Sequence, residues 1–382
     1  MVDHADAVLS ALADRFPSAV ASAIRVAIGK LLRCGTAEGG FCRFRCSACE
    51  ATHTVYLRCN SRFCPRCGVA QASKAASEAQ ARLLNVEHQH LTYSVPAELR
   101  RLLFMDRSLL RTVAKAASMA TIHAMGTRCR AHAPLPGVMA TVHTYGRDLE
   151  WHVHVHVLVT RGGLRADGVW QPIKLFPATQ YRKLWQYYLL NLLRQRLKTN
   201  KSAVHLIGYL HHKYKTGFIV NVMSHYRNGR KAAAYCCRYT GRPPVSEKRI
   251  VAYDGQCVTL AYKDYRDGQD KTLELPAVEF LLRLLQHVSP RYQRNVFYFG
   301  LYQPAQRRKH VDAVATASRF ADQIRPVPLS AKERLKIALS QMRTTCPDCG
   351  SSEYYVDEIR LPEPANVQAN AEKQTSQLSL RM

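Results

Sequence analysis

The feature that most constrains this chain is an alternating run, Trp151-His152-Val153-His154-Val155-His156-Val157-Leu158-Val159-Thr160. Side chains alternate faces along a strand, so His152, His154 and His156 project from one side while the valines between them face a core. The apolar stretch 138–145 (VMATVHTY) precedes this run across Gly146-Arg147-Asp148, a break that predicts an antiparallel hairpin.

The surrounding pattern supplies further elements. Apolar and small residues at helical spacing over 6–32 predict an N-terminal helix or helix pair ahead of a cysteine-rich segment, 34–67. A helix-forming stretch at 70–84, a strand at 88–95 and a long amphipathic run at 98–125 follow. Beyond the hairpin come a helix at 178–197, a strand at 218–223, and a helix at 229–240 that Gly241, Pro243 and Pro244 stop. Two short strands at 248–253 and 256–262 turn at Asp254-Gly255. Residues 267–341 read as basic and helix-leaning; the section after Cys349 turns polar, and its end, QANAEKQTSQLSLRM at 368–382, reads as disordered. The expected domains are 1–85, helix and zinc-binding; 86–265, the catalytic core; 266–340, a basic helical region; and 341–382, a cysteine knuckle and tail.

Lysine and arginine number 55 against 28 acids, a formal charge of +27 that calls for a polyanionic partner, nucleic acid first. No apolar run approaches the ~18–20 residues needed to span a bilayer, and the N-terminus has no basic-then-apolar leader pattern. A soluble cytoplasmic protein without a membrane partner is expected.

Three imidazoles in register on a β-branched background suit a divalent metal, and tolerate Mg2+ or Mn2+ where water and phosphate oxygens complete the sphere. His154 and His156 are the expected pair, with His152 as a third ligand or a phosphate partner. Glu150 and His143 are further candidates, His143 the less favoured because a lone histidine on a neighbouring strand is more often a satisfied core or edge residue. The competing possibility is a half-exposed strand face without metal.

Tyr235 and Tyr239, in AAAYCCRYTGRPP, lie four apart and so share a helix face. A phenol titrates near pH ~10, so attack on phosphate at neutral pH needs a polarised phosphate and help in losing the proton. Arg238, Arg242 and Lys231 add positive potential beside them. Ordinary aromatic packing is the alternative for such a pair.

Among 13 cysteines, Cys46-x-x-Cys49 and Cys64-x-x-Cys67 stand 14 residues apart, close to the spacing of ribbons that enclose tetrahedral Zn2+. Cys34, Cys42, His53 and Cys59 lie in or beside the same segment, which leaves the ligand set and a second ion open. Cys346-Pro347-Asp348-Cys349 is a solitary knuckle for which three readings stay open: a site completed with Cys34 and Cys42, a junction with another subunit, or no metal at all. Cys129, Cys236, Cys237 and Cys257 read as small apolar residues. Arg43, Arg45, Arg58, Arg62 and Arg66 interleave with Phe41, Phe44, Tyr56 and Phe63, a mixture suited to phosphate contact and base stacking.

Taken with Thr160-Arg161-Gly162-Gly163, YCCRYTGRPPVSEKRI at 235–250, YKDYRDG at 262–268 and FLLRLLQHVSP at 280–290, the histidine strand resembles the insertion sequence ninety-one family of rolling-circle transposases. The similarity spans roughly residues 30–305. It implies an α+β fold of the HUH endonuclease class: a central antiparallel sheet flanked by helices, with the histidines on a central strand, tyrosine on an adjacent helix, and a small zinc-binding domain in front. It further implies that His154-Val155-His156 is the metal motif and that Tyr235 and Tyr239 are twin nucleophiles. The activity implied is single-strand DNA cleavage at transposon ends, a 5'-phosphotyrosine intermediate, a free 3'-hydroxyl, and transfer to target DNA. The N-terminal cysteine series agrees with the family, with Cys46, Cys49, Cys59, Cys64 and Cys67 as zinc ligands, although Phe63 stands where the family usually has histidine. Homo-oligomerisation is left open. A replication initiator or relaxase of the same chemistry, and a non-catalytic zinc-containing DNA-binding protein, are the rival functions.

Overall fold

In a computed structural model of the chain, residues 2–64, 67–68, 71, 82–127, 133–173, 176–227, 231–232, 243–264, 267–305 and 345–361 are described. The chain divides into one unit of residues 1–68 and 326–382 and another of residues 69–325.

The first unit opens with α1 (Ala5–Arg15) and α2 (Ser18–Leu32), broken at Pro17, whose apolar stripe of Val8, Leu12, Val20, Ile24 and Ile28 is buried. Strands β1 (Phe41–Cys46) and β2 (Thr52–Tyr56) then form an antiparallel pair.

The second unit is built on the valine strand. Chain order gives β3 (His88–Ser94), α3 (Ala97–Met105), α4 (Leu109–Gly126), β4 (Gly137–Tyr145), β5 (Trp151–Thr160), the short pair β6 (Gly162–Leu164) and β7 (Trp170–Pro172), α5 (Ala178–Arg196), α6 (Lys201–Lys213) and β8 (Val220–Tyr226). After them come β9 (Ile250–Tyr253), β10 (Cys257–Lys263), β11 (Asp270–Pro276), α7 (Ala277–Leu285) and β12 (Val296–Gly300). Five strands make one antiparallel sheet in the order β12-β4-β5-β3-β8, so the alternating strand β5 is its middle member. Strands β9, β10 and β11 form a separate antiparallel sheet.

Val153, Val155, Val157 and Val159 are fully buried against Leu91 and Tyr93 of β3 and against α4 and α5. Ala116, Ala117, Ala120 and Ala124 on α4 carry little bulk, which lets that helix lie close on the valine face. Trp185 of α5 adds its bulk there and donates its indole N–H to the Ser94 carbonyl at 2.9 Å. Burying each branched side chain contributes about 1.5–3 kcal/mol, so this face holds β5 in its register.

Where the chain departs from its sequence reading, local causes can be named. The expected long run at 98–125 is two helices, because Asp106 leaves the helix and accepts from Ser108 N–H and Oγ. Helix α6 was not anticipated; Asn200 caps it by accepting from Ala203 N–H, and Ala203, Ile207 and Leu210 form its buried stripe. The supposedly basic, helical region contains strand β11, paired with β10, and β12, which joins the central sheet through Phe297 and Phe299. A domain boundary at 265/266 would cut the β10–β11 pair, so 266–305 belongs with the core. After Cys349, β13 (Tyr354–Arg360) pairs antiparallel with β1, while the stretch 368–382 expected to be disordered lies outside the described residues. The helices expected at 70–84 and 229–240 fall almost wholly outside the described residues, although Lys231 and Ala232 are helical. Among the described residues no helix is long and apolar enough to cross a membrane.

His88 shows how a buried polar group is accommodated in this sheet. Its Nδ1–H donates to Val86 O at 2.8 Å and its Nε2 accepts from the Tyr302 hydroxyl at 2.6 Å, an arrangement that needs the neutral ring. Burial holds its pKa down at about 4. The unfolded chain, titrating near 6.5, therefore takes up a proton that the folded chain refuses between these values. Stability is complete above about pH 6.5 and declines as pH falls towards 4, by on the order of 3 kcal/mol for this one group. Urea midpoints of wild type and His88→Gln between pH 7 and pH 4 should converge on acidification; parallel curves would show that His88 does not carry this dependence.

Candidate active site and metal centres

Because the valines take the inner face, β5 turns His154 and His156 to the other side, and antiparallel pairing decides who meets them. His154 stands opposite His143 of β4 and Ser94 of β3; His156 stands between Thr141 and Thr92. The ligand nitrogens of His143, His154 and His156 all lie within 4.8 Å of one another, with ring centroids 4.6, 4.9 and 5.3 Å apart. This trio revises the expected set. His152 touches His154, at 5.3 Å between centroids, yet is not one of the three converging histidines; the disfavoured His143 takes that place. Glu150 instead pairs with Arg283 at 2.7 Å.

A histidine not considered from sequence completes the arrangement. His90 of β3 is buried, and its Nε2 lies 2.9 Å from Nδ1 of His156, the rings stacking at 5.1 Å. His154 donates Nδ1–H to the His152 carbonyl at 3.1 Å, which leaves the lone pair on Nε2. Such fixed tautomers are what a metal ligand requires. The sequence clue to His90 was the His88-Gln89-His90 alternation, but the partner across the sheet depends on register.

Burial first, and His152 after it, hold the pKa of His154 at about 4; burial does the same to His90. Burial, followed by His143, His154 and His90, pushes His156 well below the ordinary histidine range. The rings are thus neutral at neutral pH, the form that binds a cation. Three imidazole nitrogens held on neighbouring strands could serve together as ligands to one divalent ion.

On this same face Leu158 packs with Met139, Tyr302 and Ala232, and Ala232 is fully buried there. Ala232 precedes Tyr235 by three residues. Tyr235, Tyr239, Arg238, Arg242 and Arg66 lie outside the described residues. Arg62 is half-buried with its guanidinium 4.9 Å from the Phe63 ring centre. Arg43 and Arg45, expected at phosphate, are engaged instead by Glu358 at 2.8 Å and Asp357 at 3.1 Å on β13.

Among the described residues, eight cysteines gather in two clusters, and the two sequence knuckles do not share one. Cys34, Cys59, Cys64 and Cys67 make the first; Cys46 and Cys49 join Cys346 and Cys349 in the second. In the first, Cys34 Sγ lies 3.7 Å from Cys64 and 3.6 Å from Cys67, and Cys59 lies 3.7 Å from Cys67. Four thiolates at ~2.3 Å from one Zn2+ stand ~3.8 Å apart, whereas a disulfide holds its sulfurs at ~2.05 Å, so the spacing fits a tetrahedral ion. The Cys59 N–H donates to Cys34 Sγ at 3.4 Å, a bond that favours the thiolate. Cys42 is buried in neither cluster, and burial raises its thiol pKa, as suits an apolar filler.

Residues 4–95 match the family described as "Transposase zinc-binding domain", and residues 137–310 the family described as "Putative transposase". The chain is 28% identical over 355 residues to the "Transposase for insertion sequence element IS801" of Pseudomonas savastanoi pv. phaseolicola, covering 87% of this chain and 83% of that one. It is 24% identical over 345 residues to the "Putative transposase y4qJ" of Sinorhizobium fredii, covering 85% and 87%. No solved structure matches it. The cysteine clusters and the first match together support structural zinc.

The contact from His90 to His156 has a measurable consequence. His90→Ala removes the partner that orients the ring and should weaken Mn2+ binding roughly 10–100-fold, by calorimetric titration of the full chain. An unchanged affinity would show that His156 needs no such support.

Proposed function

We propose that this chain, which belongs to the insertion sequence ninety-one family of transposases, nicks single-stranded DNA at the ends of its element by tyrosine attack and transfers the cut strand to target DNA. The observation that carries this reading is the convergence of His143, His154 and His156 on the face of the central sheet where Ala232, just ahead of Tyr235, is buried, with burial keeping His154 and His156 neutral. A middle strand that bears the histidines supports assignment of the core to the HUH class.

His143, His154 and His156 would hold a divalent cation, Mg2+ or Mn2+, which when bound would supply Lewis-acid polarisation of the scissile phosphate. The phenolic oxygen of Tyr235 or Tyr239 forms the new O–P bond as the bond from phosphorus to the 3'-oxygen breaks. The phenolic proton passes to solvent, and the departing 3'-oxygen takes one up. What results is a 5'-phosphotyrosine and a free 3'-hydroxyl, which keep the phosphodiester energy in a form that a second 3'-hydroxyl can reclaim. The other tyrosine then serves the second cut. Arg238 and Arg242, beside the tyrosines in sequence, and Arg62 and Arg66, beside the first cysteine cluster, contact phosphates; with a net charge of +27, binding should weaken steeply with salt. Cys34, Cys59, Cys64 and Cys67 hold structural Zn2+, which gives a small module the stability that its limited core does not.

Incubating the full chain with labelled single strands carrying the element's ends, in Mg2+ or Mn2+, tests the chemistry. Wild type should yield a denaturation-resistant adduct, and Tyr235→Phe with Tyr239→Phe should abolish it while DNA binding stays within about threefold, since no charge is lost. Joint replacement of His154 and His156 by Ala should also remove the adduct. An adduct that survives in the double tyrosine variant would overturn the nucleophile assignment. A wild-type chain that binds these strands but never becomes attached to them would leave only a DNA-binding role.

A further inference from the structure

We infer that Cys46, Cys49, Cys346 and Cys349 form a second, all-thiolate Zn2+ site that fastens the C-terminal segment 345–361 onto strand β1. The matched families end at residue 310, so half of this ligand set lies beyond both. Its sulfurs stand 3.6 Å apart for Cys46 and Cys349 and 3.8 Å for Cys49 and Cys346, the edge length of a tetrahedral zinc thiolate.

The two halves are built alike although 297 residues separate Cys49 from Cys346. In Cys46-Ser47-Ala48-Cys49, the Cys46 N–H donates to Ala51 O at 2.9 Å and the Glu50 N–H to Cys46 O at 3.0 Å. In Cys346-Pro347-Asp348-Cys349, the Cys346 N–H donates to Ser351 O at 2.6 Å and the Gly350 N–H to Cys346 O at 2.8 Å. The residue after each second cysteine is left-handed, Glu50 with φ 58° and Gly350 with φ 75°. That conformation is costly for glutamate and free for glycine, so its recurrence in both halves marks a required turn rather than a local preference. These are two matched knuckles, each presenting a pair of sulfurs to a common centre.

Apart from its strand pairing, the segment is held only weakly. Tyr355, Val356 and Ile359 on β13 remain 64%, 46% and 52% exposed, so the strand buries little apolar surface on β1. The ion pairs Arg43–Glu358 and Arg45–Asp357 are substantially exposed, a class worth about 0–1 kcal/mol. A Zn2+ held by these four sulfurs, which lie within 4.8 Å of one another, would close a loop of roughly 300 residues. His53 Nε2 lies 3.4 Å from Cys346 Sγ and 3.6 Å from an Asp348 carboxylate oxygen, and it flanks the sulfur cluster as an outer partner.

Cobalt loading of the full chain tests the site, because thiolate-to-cobalt charge-transfer absorption is blind to an all-histidine centre. Wild type should bind two thiolate-held ions per chain. Cys346→Ser with Cys349→Ser should lose one ion and about half of that absorption, and Cys46→Ser with Cys49→Ser should lose the same. The quadruple variant should lose no more than either pair, and the remaining ion, on Cys34, Cys59, Cys64 and Cys67, reports that the rest has folded. Cys349→His, which substitutes one competent ligand for another, should retain both ions. Unchanged metal content in the C-terminal pair, twice the loss in the quadruple variant, or equal loss from Cys349→His and Cys349→Ser would each overturn the inference.

Discussion

Burial of four valines on one face of β5 is the constraint from which the rest of the second unit follows. Val153, Val155, Val157 and Val159 have no exposed surface, and a slip of one residue would exchange them for three histidines and a leucine. The core under α4 and α5 would then receive imidazoles without partners, at a cost that no surface contact repays. Hydrophobic burial on the inner face therefore holds the histidines in register on the outer face. Strand pairing does the remainder, by setting His143 beside His154 and His90 beside His156.

The same burial sets the electrical state of that outer face. Four histidines crowded on three strands could not all be charged, and removal from water already favours the neutral ring, so His90, His154 and His156 all titrate below the ordinary range. Neutral imidazoles repel a cation far less than protonated ones would. Packing rather than acidic side chains sets the charge of this face; Glu150, the acidic candidate in the sequence, pairs with Arg283.

The first unit obeys a different economy. Its sheet of β13-β1-β2 has three short strands and a largely exposed face, too little apolar contact to hold the two ends of the chain together. Directional bonds take over: sulfur clusters at tetrahedral spacing, and ion pairs that occupy Arg43 and Arg45. Arg43 and Arg45, which looked like phosphate contacts in the linear chain, are paired with acids more than 300 residues away, as with Arg45 and Asp357, 312 residues apart.

Local periodicity determined, from the sequence alone, the N-terminal helix pair, the histidine strand with its inner and outer faces, the hairpin of β4 and β5, and the turn at Asp254-Gly255, because each depends on neighbours within a few residues. The family, too, was legible from short motifs. Only the tertiary structure decided which histidine completes the trio: the sequence favoured His152 over His143, and antiparallel register brings His143 across from His154. It alone separated Cys46-Cys49 from Cys64-Cys67, because a sulfur cluster is assembled by distance in space, and Cys346 lies beyond the reach of any spacing rule. Strands β12 and β13 escaped notice for the same reason: each becomes a strand by adding to an edge, β4 or β1, that an isolated stretch of sequence cannot see.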